Sequence, residues 1–188
     1  MTLEAGRVGT ATTLAFGPGA DVAVVDAAVS GSIVRVQSVS SRVGDVAAFL
    51  DALRQDPAGA DATLAQLEQE TRQAIAAAVT AGASGILYWI EGASPTDFTP
   101  MQYGGLFLEL DREILADTRA KVEVVVFVAD TDEAYIDFVS DLPADLFGWA
   151  GATPEPAEIR ALRPGRLLAD HPTADVRLVG PVPARRAR

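Results

Sequence analysis

The chain has 188 residues, 49% of them hydrophobic and only 6% aromatic, which suffices for one ordinary globular domain with a full core. A net charge of −11 repels phosphate backbones and argues against nucleic-acid binding, and the lack of cysteine removes disulfides, thiolate metal ligands and cysteine nucleophiles together. The N-terminus has no basic and apolar leader pattern and no apolar run approaches the ~18 residues of a membrane span, so a cytoplasmic protein without a membrane partner is expected.

Along the chain, residues 11–16 and 22–29 are β-prone and flank the turn signal Gly17-Pro18-Gly19, which predicts a hairpin or two short strands. Residues 32–39 (SIVRVQSV) alternate as a strand. Ser41 is a candidate cap for a helix whose Val46, Phe49, Leu50 and Leu53 share one face. Asp56-Pro57-Ala58-Gly59 breaks that helix. A long helix is predicted over 61–81, with Thr63 and Gln66 as a capping box, a buried stripe of Leu64, Leu67, Thr71, Ile75, Ala78 and Val79, and Gly82 as its stop. Residues 85–91 (GILYWIE) read as a strand buried on both faces. Thr99-Pro100-Met101-Gln102 opens a helix reaching about Thr118. Residues 122–129 (VEVVVFVA) form another buried strand, and Thr131 or Asp132 caps a helix over 133–142. A short strand over 145–150, a helix from Thr153-Pro154-Glu155 to Pro164-Gly165, and strands at 166–169 and 176–179 complete the pattern.

Alternating strand and helix implies βαβ crossovers and a parallel sheet. With no glycine-rich phosphate loop, a nucleotide-binding doubly wound sheet is disfavoured. The expected fold is α/β: a partial or distorted (β/α) barrel, TIM-barrel-like, with an N-terminal β segment. Its expected divisions are a β arm over 1–31, the partial barrel over 32–180 and a flexible basic tail over 181–188 containing Arg185, Arg186 and Arg188, all within one domain.

Three stretches carry a family resemblance: AGASGILYWIEGASPTDFTPMQYGGLFLELDREIL, VEVVVFVADTDEAYIDFVSDLPADLFGWAG and EPAEIRALRPGRLLAD. Their order and spacing over about residues 33–172 resemble the uroporphyrinogen decarboxylase family. The resemblance implies a (β/α) barrel, and the departures from it bear on function. The family holds its tetrapyrrole with an arginine-rich N-terminal segment and an early aspartate, where this chain has residues 1–31. The family's tyrosine after the first matched strand has no equivalent in Ser38 to Val43, and its late histidine has no counterpart. Related methyltransferases and the cobalamin-independent methionine synthase bind zinc through His and Cys. The strand matching those ligands here is Val126 to Asp130, and a chain with one histidine and no cysteine does not supply that site. No metal and no cofactor is therefore expected.

In such barrels function sits at the C-terminal ends of the strands. Glu91 is there either a ligand-facing carboxylate or a loop group pairing with Arg42. Asp130 and Asp132 are an acid–base pair or helix caps, and capping needs fewer assumptions. Trp89 and Trp149 stack on a planar ligand or fill the core. His171 is a catalytic histidine or a plain loop residue. Ser38, Ser40 and Ser41 with Arg42 could bind an anion at a helix start or serve as caps. The weak catalytic candidates are thus Glu91, Asp130, Asp170 and His171; the ligand-binding candidates are Ser40, Arg42, Tyr88, Glu91, Ser94 and Trp149.

Two functions follow. The favoured one is a non-catalytic module, derived from the decarboxylase scaffold, that binds a small molecule or a protein. The alternative is an enzyme of the wider decarboxylase and methyltransferase superfamily, a lyase or methyl-transfer catalyst, with a rebuilt site. An open sheet would expose its edges, so a homodimer that covers them is expected.

Overall fold

The computed structural model describes residues 12–15, 21–25, 33–122, 124–129, 135–139 and 141–149. Strands β1 (Thr12–Ala15), β2 (Asp21–Val25) and β3 (Ile33–Gln37) lead into a 3-10 turn at Ser40–Arg42. Helices α1 (Val46–Gln55) and α2 (Pro57–Thr80) then precede β4 (Gly85–Ile90). Helices α3 (Pro100–Leu106) and α4 (Leu108–Arg119) precede β5 (Val124–Ala129), and α5 (Ile136–Val139) precedes β6 (Leu146–Trp149). The predicted helix after Thr153 and the strands at 166–169 and 176–179 lie outside the described residues.

The six strands form one sheet in sequential order. β1 pairs antiparallel with β2, and every later pair is parallel. The register places Gln37, Trp89, Val128 and Gly148 in one row near the C-terminal ends, with Arg35, Leu87, Val126 and Leu146 in the next row down.

The expected barrel is not what forms. A barrel requires its first and last strands to pair, and about eight parallel strands to complete the circle. Among the described residues β1 and β6 stand at opposite ends of the sheet, and the first pair runs antiparallel. The result is an open sheet with helices holding more of the described chain than strands.

Alternation along the strands sorts the two faces of the sheet. Val34, Val36, Ile86, Tyr88 and Ile90 enter one core cluster with Phe49, Ile75, Ala78, Tyr103, Phe107, Ile114 and Leu115, which come from α1 to α4 and the α3–α4 junction. Phe98 and Phe107 meet at 4.8 Å between ring centroids within that cluster. Ile33, Leu87 and Trp89 are also buried but lie outside the cluster, on the opposite face with Arg35 and Gln37. All six residues of β4 are buried, as its unbroken apolar sequence demands.

Local signals set the helix boundaries. Asp45 caps α1 by accepting from Ala48 N at 2.9 Å, a role Ser41 does not take. α2 begins earlier than its periodicity suggests, because Asp56 accepts from Gly59 N at 3.1 Å and Pro57 fits the first turn. The predicted box at Thr63 does not form; the Thr63 hydroxyl donates back to Gly59 O within the helix. Gly82 adopts φ 82°, and the bond from Ala83 N to Ala78 O closes the end of α2 in a left-handed cap. The box at Thr99 and Gln102 forms with both reciprocal bonds. The helix it starts is broken at Phe107, where φ −122° and ψ −30° separate α3 from α4. None of the described helices is long and apolar enough to cross a membrane.

Candidate functional site

β2 to β6 run in parallel, so their C-terminal ends lie along one edge, and the segments after β3 and β4 meet there. Three buried serines join them. Ser38 N extends the ladder by donating to Trp89 O at 2.8 Å. Ser41 Oγ donates to the same carbonyl at 3.0 Å and accepts from Glu91 N at 2.9 Å. Ser38 Oγ lies 2.8 Å from Ser41 Oγ and 3.1 Å from Ser40 Oγ, and it accepts from Ser41 N at 3.2 Å.

These contacts fix the direction of the protons. A carbonyl only accepts, so the Ser41 proton is committed to Trp89 O. Ser38 must then donate to Ser41, and Ser40 must donate to Ser38. The chain of hydroxyls runs one way, from Ser40 to the backbone of β4. Gly92 is what lets the segments approach: a Cβ there would lie 2.6 Å from Ser40 Cβ. Arg42, half-buried, donates from Nε to Thr71 Oγ1 at 2.8 Å and so ties the turn to α2.

Behind this edge, on the helix-covered face, is a second polar group. Asp111 of α4 is fully buried. Its Oδ1 accepts from the Tyr88 hydroxyl of β4 at 2.5 Å, and its Oδ2 from the Tyr103 hydroxyl of α3 at 2.7 Å. Burial pushes the Asp111 carboxyl up from 3.8 to about 6, although the two phenols and the Val39 backbone N–H favour its ionised form. Burial, and then the adjacent Asp111 charge, hold both tyrosines well above their usual range. Two phenols on one carboxylate make this a closed knot linking β4, α3 and α4.

The next residue of β4 faces the other way. Trp89 is 5% exposed, and the Arg35 guanidinium lies 5.5 Å from the centroid of its ring. Its Nε1 is buried and has no hydrogen-bond partner among the described residues. A buried donor left in that state costs about 1–3 kcal/mol.

The residues proposed from sequence therefore fall into separate groups. Ser40 lies in the hydroxyl chain, and Arg42 is bound to Thr71 rather than delivered to Glu91 through its Nε. Glu91 is half-buried at the rim with its backbone N–H on Ser41. Ser94 is buried, and its carbonyl accepts from Asp97 N and Phe98 N at 3.1 Å each. Tyr88 turns away from the face that carries Trp89 and into the knot. Trp149 ends β6 opposite Ala129. Asp130, Asp132, Asp170 and His171 lie outside the described residues. Among the described residues no group of three or more His, Asp or Glu side chains is arranged to hold a metal ion.

The sequence reading did not single out Arg35, Tyr103 or Asp111. Each had a signal. Arg35 is a charge within an apolar alternating strand. Asp111 falls on the helical stripe of Phe107, Ile114, Leu115 and Thr118, where an acid must find partners or lose its charge.

Comparison with solved structures finds a methyltransferase from Methanosarcina mazei at TM-score 0.62 and 13% sequence identity. The fold is shared with part of that protein. The match covers 73% of this chain and 42% of the methyltransferase, so this chain spans less than half the length of that neighbour. No protein-family model and no curated protein matches the sequence.

Proposed function

We propose that the chain is a non-catalytic binding module, built on a scaffold akin to the uroporphyrinogen decarboxylases and their methyltransferase relatives, that holds a small molecule along the C-terminal strand ends. One observation carries this reading: Ser38, Ser40, Ser41 and Arg42, the polar groups gathered at that edge, direct hydrogen bonds into the scaffold itself. Nucleophilic chemistry needs a hydroxyl whose proton goes to a base. Here the Ser41 proton goes to a backbone carbonyl, and the other two hydroxyls follow in series. The scaffold's fold likeness to a methyltransferase favours the second reading, an enzyme with a rebuilt site.

A thermal-shift screen of small organic acids, paired with assays of uroporphyrinogen turnover and of methyl transfer, separates the two. The binding reading expects saturable stabilisation without turnover, and clear turnover in either assay overturns it. We further propose that the protein is a homodimer in which a second copy covers the exposed sheet edges. Light scattering after size exclusion is expected to give twice the chain mass, and a monomer at micromolar concentration removes the dimer from the proposal.

A further inference from the structure

We propose that the loop between β4 and α3, residues 91–98, is a strap over the buried serine chain, and that Tyr135, the residue before α5, is the latch that holds it closed. The strap guards the edge where the binding reading places its ligand. Its test uses no ligand, so either idea can fail alone.

Between the end of β4 at Ile90 and the α3 cap at Thr99 the chain has neither helix nor strand. Asp97 N and Phe98 N donate to Ser94 O and close a turn inside the loop. Tyr135 grips that turn on both sides. Its backbone N–H donates to Ala93 O at 2.9 Å, and its hydroxyl donates to Phe98 O at 2.7 Å. Tyr103 N of α3 donates to Thr99 O, so Phe98 O stands outside the helix ladder and takes its donor from Tyr135. The Tyr135 ring lies 6.5 Å from the Tyr103 ring and 6.2 Å from that of Phe138, centroid to centroid, and this packing aims the hydroxyl. One residue after β5 thereby fastens two carbonyls of the loop after β4.

The other end of the loop lies on the serines. Glu91 N donates to Ser41 Oγ at 2.9 Å, and Gly92 sits so close to Ser40 that a Cβ there would lie 2.8 Å from its Oγ. Ser40 and Ser41 are both buried. Lifting residues 91–98 breaks the Glu91–Ser41 bond and uncovers both hydroxyls in one motion. A segment without regular structure, held by tertiary hydrogen bonds, opens locally at less cost than the whole fold. The hydroxyl of Tyr135 sets part of that cost.

The test is amide hydrogen exchange, read residue by residue by nitrogen–proton correlation NMR on the full-length chain. Tyr135→Phe keeps the ring and removes only the hydroxyl. The Glu91 and Tyr135 amides report on the strap, because their bonds cross its boundary at Ser41 Oγ and Ala93 O. The Ile75 and Ala78 amides of α2 report on the whole fold. Tyr135→Phe is expected to speed exchange at Glu91 and Tyr135 together by roughly three- to tenfold, the equivalent of one hydrogen bond, and to leave α2 unchanged. Ile75→Val, a core change on α2, is expected to do the reverse: faster exchange in α2 and none of that acceleration at Glu91 or Tyr135. Faster exchange at Tyr135 with Glu91 unchanged would show that the latch does not hold the strap over Ser41, and overturns the proposal. Equal acceleration of the strap and of α2 in Tyr135→Phe would show a hydroxyl that serves the whole fold, and overturns it too. So does a Tyr135→Phe chain that exchanges like the parent.

Discussion

Tyr88 and Trp89 are consecutive residues of one buried strand, yet their polar atoms have opposite fates. Tyr88 points into the helix-covered core, where its hydroxyl meets Asp111 at 2.5 Å. Trp89 points to the other face, where its Nε1 has no partner among the described residues. Strand alternation creates the contrast, and the helices decide its outcome. Where α3 and α4 cover the sheet, the chain supplies its own acceptor. The unmatched atom is on the face that those helices leave. A satisfied polar group inside a protein is explained by the scaffold; an unsatisfied one calls for another account.

The comparison is broken most severely at Asp111. Asp111→Ala leaves two buried phenols without their shared acceptor, and a loss of about 2–5 kcal/mol in urea unfolding is expected. Loss of less than about 1 kcal/mol would show that the knot is not the matched half of the comparison.

The same residue gives the stability a defined pH dependence. Its carboxyl titrates at about 6 in the folded chain against 3.8 ordinarily, so the folded state takes up the proton first as pH falls. The stabilisation from this group is full below about pH 4 and is lost as pH rises through about 6. Asp111→Asn cannot titrate. The parent is therefore expected to gain stability relative to that variant between pH 7.5 and pH 4.5 in paired unfolding curves, and a constant difference would contradict the sign.

A smaller effect is expected at the strand edge. Gly92→Ala drives a methyl group against Ser40 and is predicted to cost about 1–3 kcal/mol. The same change in a Ser40→Gly background should cost less, which a double-mutant cycle measures. Smallest is Thr99→Ala. It removes the cap of the helix that delivers Tyr103 and is expected to cost about 1 kcal/mol, with the change visible in thermal unfolding.

Much of the scaffold was legible because its signals are local. Gly82 and the Thr99–Gln102 box act within a few residues, and the apolar run of β4 announces its burial. Local competition explains the misread boundaries. Asp56 with Pro57 offered an earlier cap than Thr63, and the Gly104-Gly105 pair just before the break at Phe107 was read through as helix. Barrel closure was not legible, because it depends on whether the first and last strands meet, and no pattern within either strand encodes that. Site residues failed to read for a related reason. Asp111 looks like any helix acid until Tyr88 and Tyr103 arrive from two other elements. Arg35 and Trp89 become one feature only when the β3–β4 register is known.

The central claim is that the scaffold satisfies the polar atom on one face of β4, Tyr88 Oη, and not the one on the other, Trp89 Nε1, among the described residues. Its most direct measurement compares two changes that each delete a single polar donor. Tyr88→Phe removes the hydroxyl; a benzothiophene analogue, incorporated in place of the Trp89 indole in the Trp149→Phe chain, removes only the N–H. Urea unfolding is run on both. The account predicts that Tyr88→Phe loses about 1.5–3 kcal/mol of stability, while the Trp89 analogue keeps or gains stability. Loss of stability at Trp89 comparable to that at Tyr88 would show that both polar atoms are held by the fold and would contradict the account.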